Sequence, residues 1–63
     1  MISIELPDGN TVKGDAGTVD ALLEKLAYNP YEILVLRDGE LLLADDLLCD
    51  GDQIKLVSIV HGG

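Results

Sequence analysis

Helical periodicity occurs once in this chain, and that limits the folds open to it. Val19, Leu22, Leu23 and Leu26 fall at i, i+3, i+4 and i+7, which places all four on one side of a helix. Thr18 precedes the stripe as a natural N-cap, and Asp20 in the first turn suits the positive end of the helix dipole. Asn29-Pro30 follows it, and proline disfavours helix in the residue before it. The expected helix runs to about Leu26 or Ala27, one helix of about ten residues. A lone helix of that length cannot bury its own apolar side. It needs a sheet to lie on, and the chain is therefore expected to be α+β.

The remaining segments supply that sheet. Ile2, Ile4 and Leu6 alternate with Ser3 and Glu5, the pattern of a half-buried strand. Pro7-Asp8-Gly9-Asn10 reads as a turn, and Thr11-Val12-Lys13 as the returning strand of a hairpin. Gly14-Asp15-Ala16-Gly17 breaks the pattern before the helix. Ile33-Leu34-Val35-Leu36 is apolar on both parities, so burial on both faces is expected. Asp38-Gly39 is a hairpin dipeptide, with Leu41-Leu42-Leu43 as the partner strand. Ala44 to Cys49 reads as a short helical turn pinned by Leu47 and Leu48, and Asp50-Gly51-Asp52 as a tight turn into a last strand from Ile54 to Val60. The expected order is β-β-α-β-β-β, without repeat, linker or low-complexity segment.

Composition narrows the class. At 63 residues the chain sits near the lower limit for folding on one core. Apolar residues make up 48% but Trp and Phe are absent, so the core must be aliphatic. The single cysteine, Cys49, excludes an internal disulfide and suits a reducing compartment. No apolar run is long enough for a membrane span and no charged leader precedes an apolar core, so a cytoplasmic location is expected. Twelve acidic residues against 4 basic give a formal charge of -8. That opposes nucleic-acid binding, which relies on Lys and Arg at phosphates. It favours a basic protein partner, or simply solubility.

The last strand runs into His61-Gly62-Gly63. Glycine carries no β-carbon, so two in a row give a flexible lead that passes a narrow channel. Beyond them a terminal carboxylate is unhindered and ionised at neutral pH. Taken alone, the pair is equally a frayed end.

The order of elements, the Asp50-Gly51-Asp52 turn, the alternating strand Gln53 to Val60, the closing Gly62-Gly63 and the central Leu36-Arg37-Asp38-Gly39-Glu40 together resemble the sulfur-carrier proteins of the ThiS/MoaD type. These belong to the ubiquitin-like β-grasp family. The resemblance covers the whole chain, 1–63, as one domain with its tail at 61–63. It implies a mixed sheet of about five strands on one helix, and a protein that is a co-substrate and not an enzyme. A ThiF/MoeB-like adenylating enzyme would use ATP to activate the Gly63 carboxylate, with Gly62 as flexible lead. Sulfur would then displace AMP and leave a thiocarboxylate for thiamine thiazole, molybdopterin or tRNA thiolation. A thiazole or molybdopterin synthase subunit would be a further partner. In the modifier branch, which includes archaeal members, Gly63 is instead joined to target lysines. No Pro-Pro pair precedes the tail, which is nearer ThiS than MoaD. Leu42-Leu43-Ala44 departs from the Val-Pro-Arg-type stretch common in ThiS. No nucleotide-binding loop is present, so no cofactor is expected on this chain.

Other candidates are weighed on the same terms. If Ile54 and Leu56 face the helix, alternation puts Lys55, Val57 and Ile59 on the opposite face. There Val57 and Ile59 would form a docking patch, with His61 facing the partner; a β-bulge would return them to the core. Asp45, Asp46, Asp50 and Asp52 lack calcium-loop spacing and read as a solvated surface, with Asp50 and Asp52 open to basic residues of a partner. Cys49 and His61 are too few for a zinc site, and no third group orients the histidine for thiol catalysis. No metal site is expected.

Overall fold

The computed structural model describes residues 1–59. Strands β1 (Ile2–Glu5) and β2 (Thr11–Gly14) form the expected hairpin. A two-residue strand, β3 (Gly17–Thr18), leads into helix α1 (Val19–Lys25). Then come β4 (Ile33–Arg37), β5 (Glu40–Leu42), β6 (Leu47–Leu48) and β7 (Gln53–Ser58). The main sheet has five strands in the order β2-β1-β7-β4-β5. Only β1 and β7 run parallel; the other neighbours are antiparallel. This is the mixed sheet and single helix of a ubiquitin-like β-grasp.

One face of the sheet makes the core. Ile2 and Ile4 of β1, Ile33 and Val35 of β4, and Ile54 and Leu56 of β7 are all buried with Val19, Leu22 and Leu23 of the helix and with Leu48. No aromatic residue is fully buried, and Tyr28 packs at the margin. The strand that continues toward the glycines, β7, is the middle strand of five, so both its neighbours restrain it.

The helix is shorter than its periodicity suggests. It spans seven residues, with Leu26 as C-cap. Thr18 caps the N-terminus as expected, its Oγ1 accepting the Ala21 N–H at 3.2 Å. At the other end Ala27 takes a left-handed conformation, φ 64°. The Ala27 N–H donates to the Glu24 carbonyl and the Tyr28 N–H to the Leu23 carbonyl, the paired bonds of a Schellman stop.

Three expectations are corrected. Ala44 to Cys49 is not a helical turn: Leu47–Leu48 is extended and pairs with Gly17–Thr18. The reason lies in the helix N-terminus, whose first N–H groups have no partner within the helix. The Val19 N–H donates to the Asp46 carbonyl and the Asp20 N–H to the Ala44 carbonyl, which a turn at Ala44–Asp45, closed by the Asp46 N–H on the Leu43 carbonyl, and the extended run after it present. Second, only Leu48 pins this segment; Leu47 is 67% exposed, because adjacent residues of an extended chain point opposite ways. Third, β4 is not buried on both faces. Ile33 and Val35 are buried, but Leu34 and Leu36 are half-buried, since the single helix covers only one side of the sheet.

Candidate functional site

The end of β7 decides how the chain presents its last residues. Five consecutive residues of β7, Ile54 to Ser58, pair with β4 without interruption. No β-bulge intervenes, so the alternation holds. Ile54 and Leu56 are buried, Lys55 is exposed and Val57 half-buried on the other face. Val57 lies opposite Leu34, and Lys55 opposite Leu36, which in turn faces Leu41 of β5. Leu41 is 56% exposed and Ile59 44%. Leu34, Leu36, Leu41, Val57 and Ile59 thus make an apolar open face beside the root of the tail. Lys55 borders it, 3.8 Å from Glu5 Oε2.

The final described residue is tethered. The Ile59 N–H donates to the Glu32 carbonyl at 3.0 Å, carrying the β4 pairing one step beyond the strand. On the β1 side the ladder stops earlier, at Glu5 opposite Lys55. Two residues on is Pro7, which has no N–H to continue it. The chain therefore leaves the sheet held on one side only. His61, Gly62 and Gly63, the expected tail and reactive end, lie outside the described residues.

The acidic residues are less alike than their spacing suggests. Asp50 is exposed and pairs with the Met1 amino group. Asp52 is turned inward: its Oδ2 accepts the Cys49 N–H at 2.8 Å and Arg37 Nη1 at 3.0 Å. The Cys49 N–H, and after it the Arg37 guanidinium, hold the Asp52 carboxyl below its ordinary pKa, against partial desolvation that raises it. Arg37 Nη1 also donates to the Leu47 carbonyl at 3.1 Å. Arg37 and Asp52 thereby lock the 47–52 segment to the end of β4. Asp46 Oδ2 accepts the Leu43 N–H at 2.7 Å. Two of the four aspartates are thus local braces, which their spacing did not reveal. Cys49 is a free, exposed thiol. Among the described residues no group of three or more His, Cys, Asp or Glu is placed to hold a metal ion, and no helix is long and apolar enough to cross a membrane.

The five-stranded mixed sheet on one helix defines a small ubiquitin-like protein. The model of the ThiS family matches residues 3–63, and the chain belongs to that family. It is accordingly a ubiquitin-like protein of the sulfur-carrier kind, a family whose members are carriers rather than enzymes and work with adenylating and sulfur-transfer enzymes. No curated protein matches the chain.

Proposed function

We propose that residues 1–63 act as one carrier domain, with its tail at 61–63, and that the Gly63 carboxylate is the group acted on. A carboxylate is a poor electrophile. A ThiF/MoeB-like enzyme would join it to the α-phosphate of ATP, releasing pyrophosphate and giving the acyl-adenylate. A persulfide or related sulfur donor then attacks the carbonyl carbon and AMP leaves. Where the donor is a persulfide, a thiol then attacks the donor-side sulfur of the acyl disulfide so formed, makes a new disulfide with it and releases the thiocarboxylate on Gly63. A side chain at Gly63 would obstruct that attack, and Gly62 gives the tail its extended path. The ATP site and the charge stabilisation belong to the partner. Acceptors of the sulfur fall in thiamine thiazole, molybdopterin or tRNA thiolation, reactions of the cytoplasm.

The observation that carries this reading is the course of β7. β7, the middle strand of the sheet, ends at Ser58, and in sequence only Ile59, Val60 and His61 separate it from Gly62-Gly63, in a chain whose family match extends through residue 63. The apolar face with Val57 and Ile59 serves as the docking surface, with His61 as a further contact; the exposed Asp50, beside Met1 at the opposite end of β7, would be a separate contact, and Asp52 is held at that same end by Arg37.

The test is intact-mass spectrometry after incubation with the host's adenylating enzyme, ATP and a sulfur donor. The expected product gains the mass difference of sulfur over oxygen at Gly63. Removing Gly63 abolishes the product and leaves the circular dichroism spectrum and thermal midpoint unchanged; a collapse of the fold on that deletion refutes the reading. Gly63-dependent conjugates of higher mass in cells would instead assign the chain to lysine modification.

A further inference from the structure

The two sides of the tail root differ in chemistry. On the open face lie Val57, Leu34 and Ile59. On the core-facing side, a notch of about 300 Å³ is lined by Pro7, Asp8, Tyr28, Glu32, Ile33 and Ser58. Four segments build it: the β1–β2 turn, the loop after the helix, the start of β4 and the end of β7. Its walls are apolar, from Pro7, Ile33 and the Tyr28 ring. Asp8 and Glu32 are its two acidic residues. The Asp8 carboxylate accepts bonds from the Asn10 N–H and side-chain amide at 3.0 Å each, which turn it toward Asn10 and leave its charge intact.

The charge on this notch is not compensated within the described residues. The ion pairs there are Asp50 with the Met1 amino group, Asp15 with Lys25, Asp52 with Arg37, and Glu5 with Lys55. Asp8 and Glu32 take part in none. Glu32 also holds Ile59 through its carbonyl, so whatever occupies the notch sits against the residue that anchors the tail.

The geometry points to an arginine side chain of the adenylating partner as the occupant, inserted between Asp8 and Glu32 along the Tyr28 ring where the tail leaves the sheet. A guanidinium suits the site better than an ammonium. Its planar fork meets carboxylates with directed hydrogen bonds, and its face packs on an aromatic ring. The apolar walls would remove water from those contacts and strengthen them. An enzyme channel that encloses the tail has to touch both sides of β7, and the notch is the charged side of that embrace.

This inference rests on the functional reading above, and the experiment separates the two. The double variant Asp8→Asn/Glu32→Gln removes both charges while keeping the side-chain shapes. Its adenylation by the host enzyme is compared with Glu24→Gln/Asp45→Asn, which removes two exposed charges elsewhere. The notch variant is expected to raise KM for the carrier about tenfold, with kcat within about twofold; because Asp8→Asn replaces one of the oxygens bonded to Asn10, Glu32→Gln alone, which leaves that turn intact, is measured beside it and is expected to raise KM in the same direction with the thermal midpoint unmoved. The distant pair leaves KM at the wild-type value. If the notch variant leaves KM unmoved, or the distant pair raises it equally, the inference is overturned while adenylation of wild type still upholds the function. If wild type is not adenylated at all, both fall.

Discussion

Replacing Ala27 by glycine should stabilise the protein, although it removes a methyl group and adds none. Ala27 sits at the helix stop with φ 64°, where an L side chain crowds its own backbone at a cost of roughly 1–2 kcal/mol. Glycine avoids that crowding but loses more freedom on folding, roughly 0.5–1 kcal/mol. Ala27 is exposed, so its methyl group contributes almost nothing to the core. Both Schellman bonds, from Ala27 to Glu24 and from Tyr28 to Leu23, use backbone atoms and survive the change. The balance is a gain of about 0.5–1 kcal/mol, or roughly 2–8 °C in thermal midpoint for a chain this small. Thermal and urea unfolding followed by circular dichroism reads it directly, with a higher midpoint at unchanged urea slope. Ala27→Val provides the opposite sign, since a β-branched residue tolerates positive φ less well. A lower midpoint for Ala27→Gly would refute the reasoning, because relief of backbone crowding at residue 27 would then not outweigh the extra entropy that glycine loses on folding.

Two further predictions concern the segment before β7. Leu48→Ala should cost about 2–4 kcal/mol as a buried truncation, whereas Leu47→Ala on the exposed side should stay within about 0.5 kcal/mol in the same urea titration. For Asp52, the folded pKa is lowered by the Cys49 N–H and Arg37. Its contribution is therefore present above the unfolded pKa of about 3.9 and is lost as pH falls through the folded value. The midpoint advantage of wild type over Asp52→Asn should accordingly shrink as pH drops below about 4; an advantage that grows with acid would contradict the bond network.

Local sequence determined much of this protein because several of its signals are local. The Val19–Leu26 stripe, the Thr18 cap, the Asp38-Gly39 turn and the alternation in β1 and β7 each depend on neighbours a few residues away, and each appears in the fold. The last strand as far as Ser58 was legible for the same reason. Tertiary structure decided what short-range rules cannot reach. Ala44 to Cys49 looks helical by composition, yet after a turn at Ala44–Asp45 it runs extended through Leu47–Leu48, because the helix N-terminus, far back in the chain, needs its carbonyls. Leu34 and Leu36 look like core, yet they line an open face because there is one helix to cover two sides of a sheet. Asp52 looks like surface, yet Arg37, fifteen positions earlier, draws it inward. The notch of Asp8, Tyr28 and Glu32 has no counterpart in any single stretch, since the β1–β2 turn and the loop after the helix meet beside the end of β7 only once β1 and β7 lie parallel. Alternation told which side of β7 each residue faces; only the packed fold set an apolar surface on one side of the tail root and an acidic, aromatic one on the other.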